Sequence, residues 1–250
     1  MAADRSRSTP NSQVRWSSMT ARTGWVGSGY SAALRNWQPR KPSSRVASPV
    51  AAANPLRGLE SDAQYVATVT KAVDGPVVLV GHSYAGAVIT RAAREASNVE
   101  ALVYVAAFQP DEGESALENA SRFPGAKMGP DTTIAIEHEG EPELRILPEH
   151  YQDVIAGDLP AETTDVLAVT QRPVRVQALT AELSGTPAWR TLPTWAVVAT
   201  QDNAIPAQAR EFMAERAGSH VVRVEASQAV SISQPGAVAG LIIEAAKSTR

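Results

Sequence analysis

A serine, an aspartate and a glutamine stand where a hydrolytic site would need polar groups. Ser83 lies in Gly81-His82-Ser83-Tyr84-Ala85-Gly86, directly after the apolar run Pro76-Val77-Val78-Leu79-Val80 and directly before a small-residue stretch, Ala85 to Ala96. Mostly β-branched residues, a Gly-x-Ser-x-Ala-Gly turn and helical spacing spell strand, tight turn and helix, with the serine at the apex. Such a turn exposes the hydroxyl and pares its neighbours to glycine or alanine, because larger side chains clash where the backbone reverses. The pattern predicts a nucleophile elbow.

In an open parallel sheet, sites form at the carboxyl ends of strands, so the polar residues after each apolar run are the next candidates. Asp202 follows the run Trp195 to Thr200, and Ser227-Gln228 follows Val221 to Val224. A serine hydrolase of this kind needs serine, acid and histidine in that chain order. The third position here is Gln228.

Strands alternating with helices must carry these groups. Ser61 and Asp62 are expected to cap a helix running toward Asp74-Gly75, strand 76–80 and the elbow helix follow, and Ala101 to Ala107 is a continuous apolar run of the kind buried on both faces in parallel sheets. Residues 108–190 break the rhythm. They are acidic and rich in Pro and Glu, with short helical patterns at Pro148 to Ala156 and Ala161 to Val169, and read as a cap of short helices over the mouth of the sheet. The rhythm resumes with a strand at 195–200, a helix from Pro206 to Ala217, a strand at 221–224 and a final helix from Pro235 to Lys247. The alternation predicts a doubly wound, mostly parallel α/β sheet.

Composition narrows the class. The 250 residues are 44% hydrophobic and 20% charged, enough for one large domain with a substantial core. No run approaches the ~18 apolar residues of a membrane span, and no apolar signal core opens the chain, so a cytoplasmic protein with no membrane partner is expected. There is no cysteine, which removes disulfides, thiolate metal sites and a cysteine nucleophile. The net charge of -3 gives no reason to expect nucleic acid. Charge is unevenly placed: residues 1–50 hold eight basic residues against Asp4 alone, a net of +7, leaving 15 basic against 25 acidic, or -10, for the rest. That first segment, with ten serines and four prolines, offers no apolar run for a strand and is expected to be poorly ordered.

From Asn54 to the C-terminus the chain resembles the α/β-hydrolase-fold family of small esterases related to plant hydroxynitrile lyases and methyl-ester esterases. The resemblance rests on Val78-Leu79-Val80-Gly81-His82-Ser83-Tyr84, on Leu102 to Phe108 with Pro110-Asp111 and Gly113-Glu114-Ser115, on Ala199-Thr200-Gln201-Asp202 with Ala204-Ile205-Pro206, and on Ala226-Ser227-Gln228-Ala229-Val230 with Ser233-Gln234-Pro235. It implies an α/β-hydrolase domain over 54–250, with the cap at about 108–190, that needs no cofactor and takes a small ester or apolar ligand. It further implies Ser83 as nucleophile, the Tyr84 backbone N–H as one oxyanion-hole donor and Asp202 as the triad acid, with Gln228 at the histidine position.

The departures bear directly on activity. An amide has no protonation equilibrium near neutral pH and cannot take the Ser83 proton, although its oxygen can accept from Ser83 while its NH2 donates to Asp202. The family also begins with a strand leading to a His-Gly loop that supplies the other oxyanion donor. Residues 1–53 offer only Thr23-Gly24 and Gly27-Ser28-Gly29-Tyr30 as a remnant, so a shifted reading frame or a degenerated copy is favoured over an organellar leader or basic tail. The expected function is a carboxylic ester hydrolase with impaired activity; a non-catalytic ligand-binding pseudoenzyme and, more weakly, a hydroxynitrile lyase are the alternatives.

Other histidines are poor substitutes. His82 is expected to pack or hydrogen-bond beside the turn, His138 and His150 to lie in the cap, and His220 to sit at the far end of its strand from the site. Glu137, Glu139, Glu141 and Glu143 around His138 read as a solvated loop and not as a metal site.

Overall fold

The apolar runs that flank the serine turn become neighbouring parallel strands. In the computed structural model, which describes residues 49–249, β1 (Val77–His82) leads through the turn into α2 (Ala85–Ala92) and returns to β2 (Val99–Val105). With β6 (Thr194–Ala199) and β7 (His220–Val224) they form a parallel sheet in the order β1-β2-β6-β7. Residues 1–48 of the basic segment expected to be poorly ordered, with the Thr23-Gly24 and Gly27 to Tyr30 fragments, lie outside the described residues.

Period-two alternation sorts β2 between two cores. Ala101, Val103 and Val105 pack with Trp195, Val197 and Ala199 of β6 and with Val238, Leu241 and Ala245 of the last helix, α9 (Pro235–Ser248). Leu102 and Tyr104 face the other way, onto Ile89 of α2, Trp189, and Ala214 of α7 (Ala207–Arg216). Each buried Val, Leu or Ile side chain among these contributes about 1.5–3 kcal/mol by leaving water, so a strand buried on both faces carries no polar residue between Ala101 and Val105 apart from the Tyr104 hydroxyl. That hydroxyl shares a 2.8 Å hydrogen bond with Thr90.

The helix before β1 begins earlier than the sequence suggests. α1 spans Leu59–Lys71 with Gly58 at its N-cap, so Ser61 and Asp62 are inside the first turn and neither caps it. Ser61 Oγ donates to the Gly58 carbonyl at 3.1 Å. Asp62 is fully buried and turned toward the elbow, a polar role that a cap reading does not foresee.

The cap holds more than short helices. α3 (Ala116–Ser121) starts at a capping box in which Ser115 Oγ accepts from the Glu118 N–H while the Glu118 carboxylate accepts from the Ser115 N–H. β3 (Thr133–His138), β4 (Glu141–Ile146) and the two-residue β5 (Val174–Arg175) then form an antiparallel sheet beside α4 (Pro148–Ile155), α5 (Ala161–Thr170) and α6 (Val176–Thr180). The acidic stretch expected as a loop is therefore a hairpin. Glu139 and Gly140 both take positive φ, 55° and 77°, the two-residue turn whose twist matches antiparallel strands. Glu143 is buried and ion-pairs with Arg57, which ties the hairpin to the start of α1.

The cap is seated on the carboxyl ends of the parallel strands. Ile146, Tyr151, Val154 and Leu159 pack with Ala204 and Ala229 from the loops after β6 and β7. The Ala229 N–H donates to the Ile155 carbonyl at 2.9 Å, and the Lys127 N–H to that of Asn203 at 2.7 Å. Among the described residues no helix is long and apolar enough to cross a membrane.

Candidate active site

The elbow is forced by steric crowding on both sides of Ser83. A Cβ at Gly81 would stand 2.5 Å from the Ala85 carbonyl oxygen, and one at Gly86 would run into the Phe108 carbonyl and to 2.8 Å from Ala107 Cβ. With both positions glycine, the chain turns tightly enough to hold Ser83 at φ 55°, a left-handed conformation unusual for a residue with a side chain. Hydrogen bonds from Ser83 N–H to the Val105 carbonyl, and from Phe108 N–H to the Ser83 carbonyl, fasten the turn to the end of β2. Tyr84 is the N-cap of α2. Its N–H has no partner within the helix by position, as an oxyanion donor requires.

The structure brings Ser83, Asp202 and Gln228 together. Asp202 follows β6, and its Oδ1 accepts from the N–H groups of Ala204 at 2.7 Å and Ile205 at 3.2 Å. Gln228 follows β7 and is 2% exposed. The amide orientation that satisfies both of its ends points Nε2 at Asp202 Oδ2 and at the Ala106 carbonyl, 3.3 Å away, and sets Oε1 2.9 Å from Ser83 Oγ, which donates to it. Gln228 thus spans acid and serine as an imidazole would, without a basic atom.

A fourth residue was not foreseen. Arg210 on α7 is 2% exposed, ion-pairs through Nη1 with Asp202 Oδ2, and donates through Nη2 to the Ala199 carbonyl. The same Nη1 lies 3.4 Å from the end of the Gln228 amide that faces Asp202. Burial pushes the Asp202 carboxyl above its usual range, while the Arg210 guanidinium and the two backbone N–H groups oppose that rise. The sequence did carry a signal for Arg210: it stands on the same helical stripe as Met213, Ala214 and Ala217, where a charge is out of place unless paired.

Tyr84 also holds the elbow through its side chain. Its hydroxyl donates to Asp62 Oδ2 at 3.0 Å, and the Asp62 carboxylate accepts twice from the Arg57 N–H, at 3.1 and 3.2 Å. Burial raises the Asp62 carboxyl, against these hydrogen bonds, and burial raises the Tyr84 hydroxyl far above its ordinary value. Asp62 is a buried anchor for the residue next to the serine.

The histidines take structural places. His82 Nε2 donates to the Gln228 backbone carbonyl at 2.8 Å, bracing the loop that presents the amide, and burial lowers its imidazole below the ordinary value. His220 opens β7 and stacks on Trp195 at 5.1 Å between ring centroids, at the amino end of the strands. His138 is largely exposed at the end of β3, and His150 lies on α4 of the cap.

A family model described as alpha/beta hydrolase family matches residues 18–241. No curated protein matches the sequence. Among solved structures, polyneuridine aldehyde esterase is similar at a TM-score of 0.64 and 18% identity, covering 77% of this chain and 81% of its own. A pyrethroid hydrolase from Sphingobium faniae JZ-2 aligns at 0.62 with 21% identity, over 76% and 78% of the two chains. A methylesterase from Arabidopsis aligns at 0.60 with 17% identity, over 78% and 80%. At these identities the likeness is one of fold.

Proposed function

The chain belongs to the alpha/beta hydrolase family, and from that premise we propose that it is a carboxylic ester hydrolase whose serine chemistry is impaired by the amide at position 228. The observation that carries this reading is the placing of the Gln228 amide between Asp202 and Ser83 at the end of the parallel sheet, where the orientation that satisfies both of its ends donates to the acid and accepts from the serine. Similar folds named as esterases and as a pyrethroid hydrolase lend support to ester substrates.

In the proposed reaction Ser83 Oγ attacks the ester carbonyl carbon, the oxyanion gathers against the Tyr84 N–H, the alcohol leaves, and water then releases the acid from the acyl-serine. Each half needs a group that takes a proton from the attacking oxygen and returns it to the departing one. Gln228 holds the geometry and accepts the Ser83 hydrogen bond, but its amide oxygen is too weak a base to keep the proton. What remains is catalysis from positioning and the oxyanion donor, worth about 10³–10⁴ over water when a triad member is missing.

Hydrolysis of 4-nitrophenyl acetate by the native chain, by Ser83→Ala and by Gln228→His tests this. Slow native turnover that falls further in Ser83→Ala is expected, with a rise in Gln228→His that stays well short of a complete triad. Brisk native turnover would overturn the role given to Gln228.

The saturated amide network favours a second reading, a pseudoenzyme that binds a small apolar ligand without turning it over. Thermal stabilisation by such a ligand, with no turnover and no change in Ser83→Ala, is its signature.

A further inference from the structure

We propose that Arg210 is a positioning residue that has taken over the Asp202 carboxylate, so that restoring a histidine at 228 does not by itself restore the triad. The proposal rests on the ester-hydrolase reading of Ser83 and Asp202, and goes beyond it by locating a second obstacle outside position 228.

The geometry of one oxygen carries the argument. Asp202 Oδ1 is occupied by the Ala204 and Ile205 N–H groups, which leaves Oδ2 to orient a base. Arg210 Nη1 ion-pairs with Oδ2, the reoriented Gln228 Nε2 points at the same oxygen, and the end of the amide that faces Asp202 lies 3.4 Å from Nη1. A neutral amide tolerates that crowding because it brings no charge of its own. An imidazole there would share Oδ2 with a guanidinium at hydrogen-bond range, and the imidazolium formed as Ser83 is deprotonated would face a permanent cation as well as the carboxylate meant to stabilise it.

Arg210 is also too buried to move aside. Its side chain is 2% exposed, its Nη2 is bound to the Ala199 carbonyl, and Asp202's side chain has no exposure at all. A carboxylate so enclosed needs a compensating charge, and with no imidazolium available the guanidinium supplies it. The charged and titratable groups around position 228 are Asp202 from the loop after β6, Arg210 from α7, His82 from the elbow, and Asp158 from the cap, which accepts from the adjacent Ser227 hydroxyl. Of these only Arg210 adds positive charge at the acid's free oxygen.

The test compares Gln228→His with Gln228→His/Arg210→Gln in the full chain, using 4-nitrophenyl acetate across pH, with Ser83→Ala added to each as the control. Removing the guanidinium is expected to raise Ser83-dependent kcat/KM by about tenfold or more and to move its acid limb up by about one pH unit, since the imidazole then has the carboxylate to itself. Equal or lower kcat/KM in the double variant, with an unmoved acid limb, overturns the proposal while leaving the ester-hydrolase reading intact. Absence of Ser83-dependent turnover in both overturns the two together. Should Arg210→Gln fail to fold in that background, Arg210→Met supplies a second neutral replacement. NMR titration of the introduced imidazole in Gln228→His alone gives an independent reading: a value at or below about 6.5 agrees with a divided carboxylate, and one clearly above it refutes the proposal.

Discussion

Replacing Tyr84 by phenylalanine removes one oxygen from beside the nucleophile and leaves the ring in place among Leu59, Ala63 and Ala87. In the native chain that oxygen donates to Asp62 at 3.0 Å, and Asp62 has no contact with water. A hydrogen bond to a charged group contributes about 1.5–3 kcal/mol, and the carboxylate keeps backbone N–H partners such as Arg57 but loses its side-chain donor once the phenol is gone. For a chain of this size that corresponds to a fall in Tm of about 3–12 °C. The pH dependence has a definite sign. Asp62 is raised by burial, so the folded state favours its protonated form, and its ionisation weakens the fold as pH rises through the folded pKa. Tyr84 opposes that weakening by stabilising the carboxylate, so Tyr84→Phe costs most at neutral pH and least in acid, where Asp62 is protonated. Urea unfolding of Tyr84→Phe, Asp62→Asn and the double variant, at neutral and acid pH, measures the coupling. A Tyr84→Phe loss within about 0.5 kcal/mol of zero at both pH values would refute the anchoring role.

Two further outcomes follow from other contacts. Gly86→Ala forces a methyl against the Phe108 carbonyl, so a loss of about 1–3 kcal/mol is expected in urea unfolding, together with loss of whatever Ser83-dependent turnover the chain has; native stability would mean that the elbow is looser than its contacts imply. Burial alone would raise Glu114, but Arg216, the Asp111 N–H and Asn119 outweigh it and hold the carboxyl at about 2 against the ordinary 4.5. A depressed carboxyl stabilises above its unfolded pKa and loses that contribution as pH falls from about 4.5 toward 2, so Glu114→Gln is less stable than native at pH 7, by a margin that salt reduces, and converges with it near pH 2. Parallel stability curves for the two proteins down to pH 2 would remove Glu114 from the acid response.

What sequence can say is local. The run Val77 to Val80, the glycines at 81 and 86 and the small residues after Ser83 dictate a strand, a turn and a helix whatever surrounds them, because steric exclusion at a tight turn involves only near neighbours. The placing of Ser83, Asp202 and Gln228 just after apolar runs is legible in the same way, since parallel strands present the residues that follow them at one edge of the sheet. The hairpin in the cap was legible too, in the alternation of Ile134 and Ile136 and in Glu139-Gly140, but its acidic composition outweighed that signal.

Tertiary structure decided which charges lose water. Asp62 reads as a helix cap until α1 is laid against the elbow and its carboxylate meets Tyr84, and Arg210 reads as one of several charges on a surface helix until α7 packs beside β6 and closes it over Asp202. Asp62 and Tyr84 are 22 residues apart, and Gln228 reaches Ser83 only because β1 and β7 end at the same edge of one sheet. The sequence by itself determined that a serine would stand on a strained turn, with an acid and an amide after two later strands. Only the packed structure, by excluding water from Asp202, decided that the carboxylate would take a guanidinium as its partner.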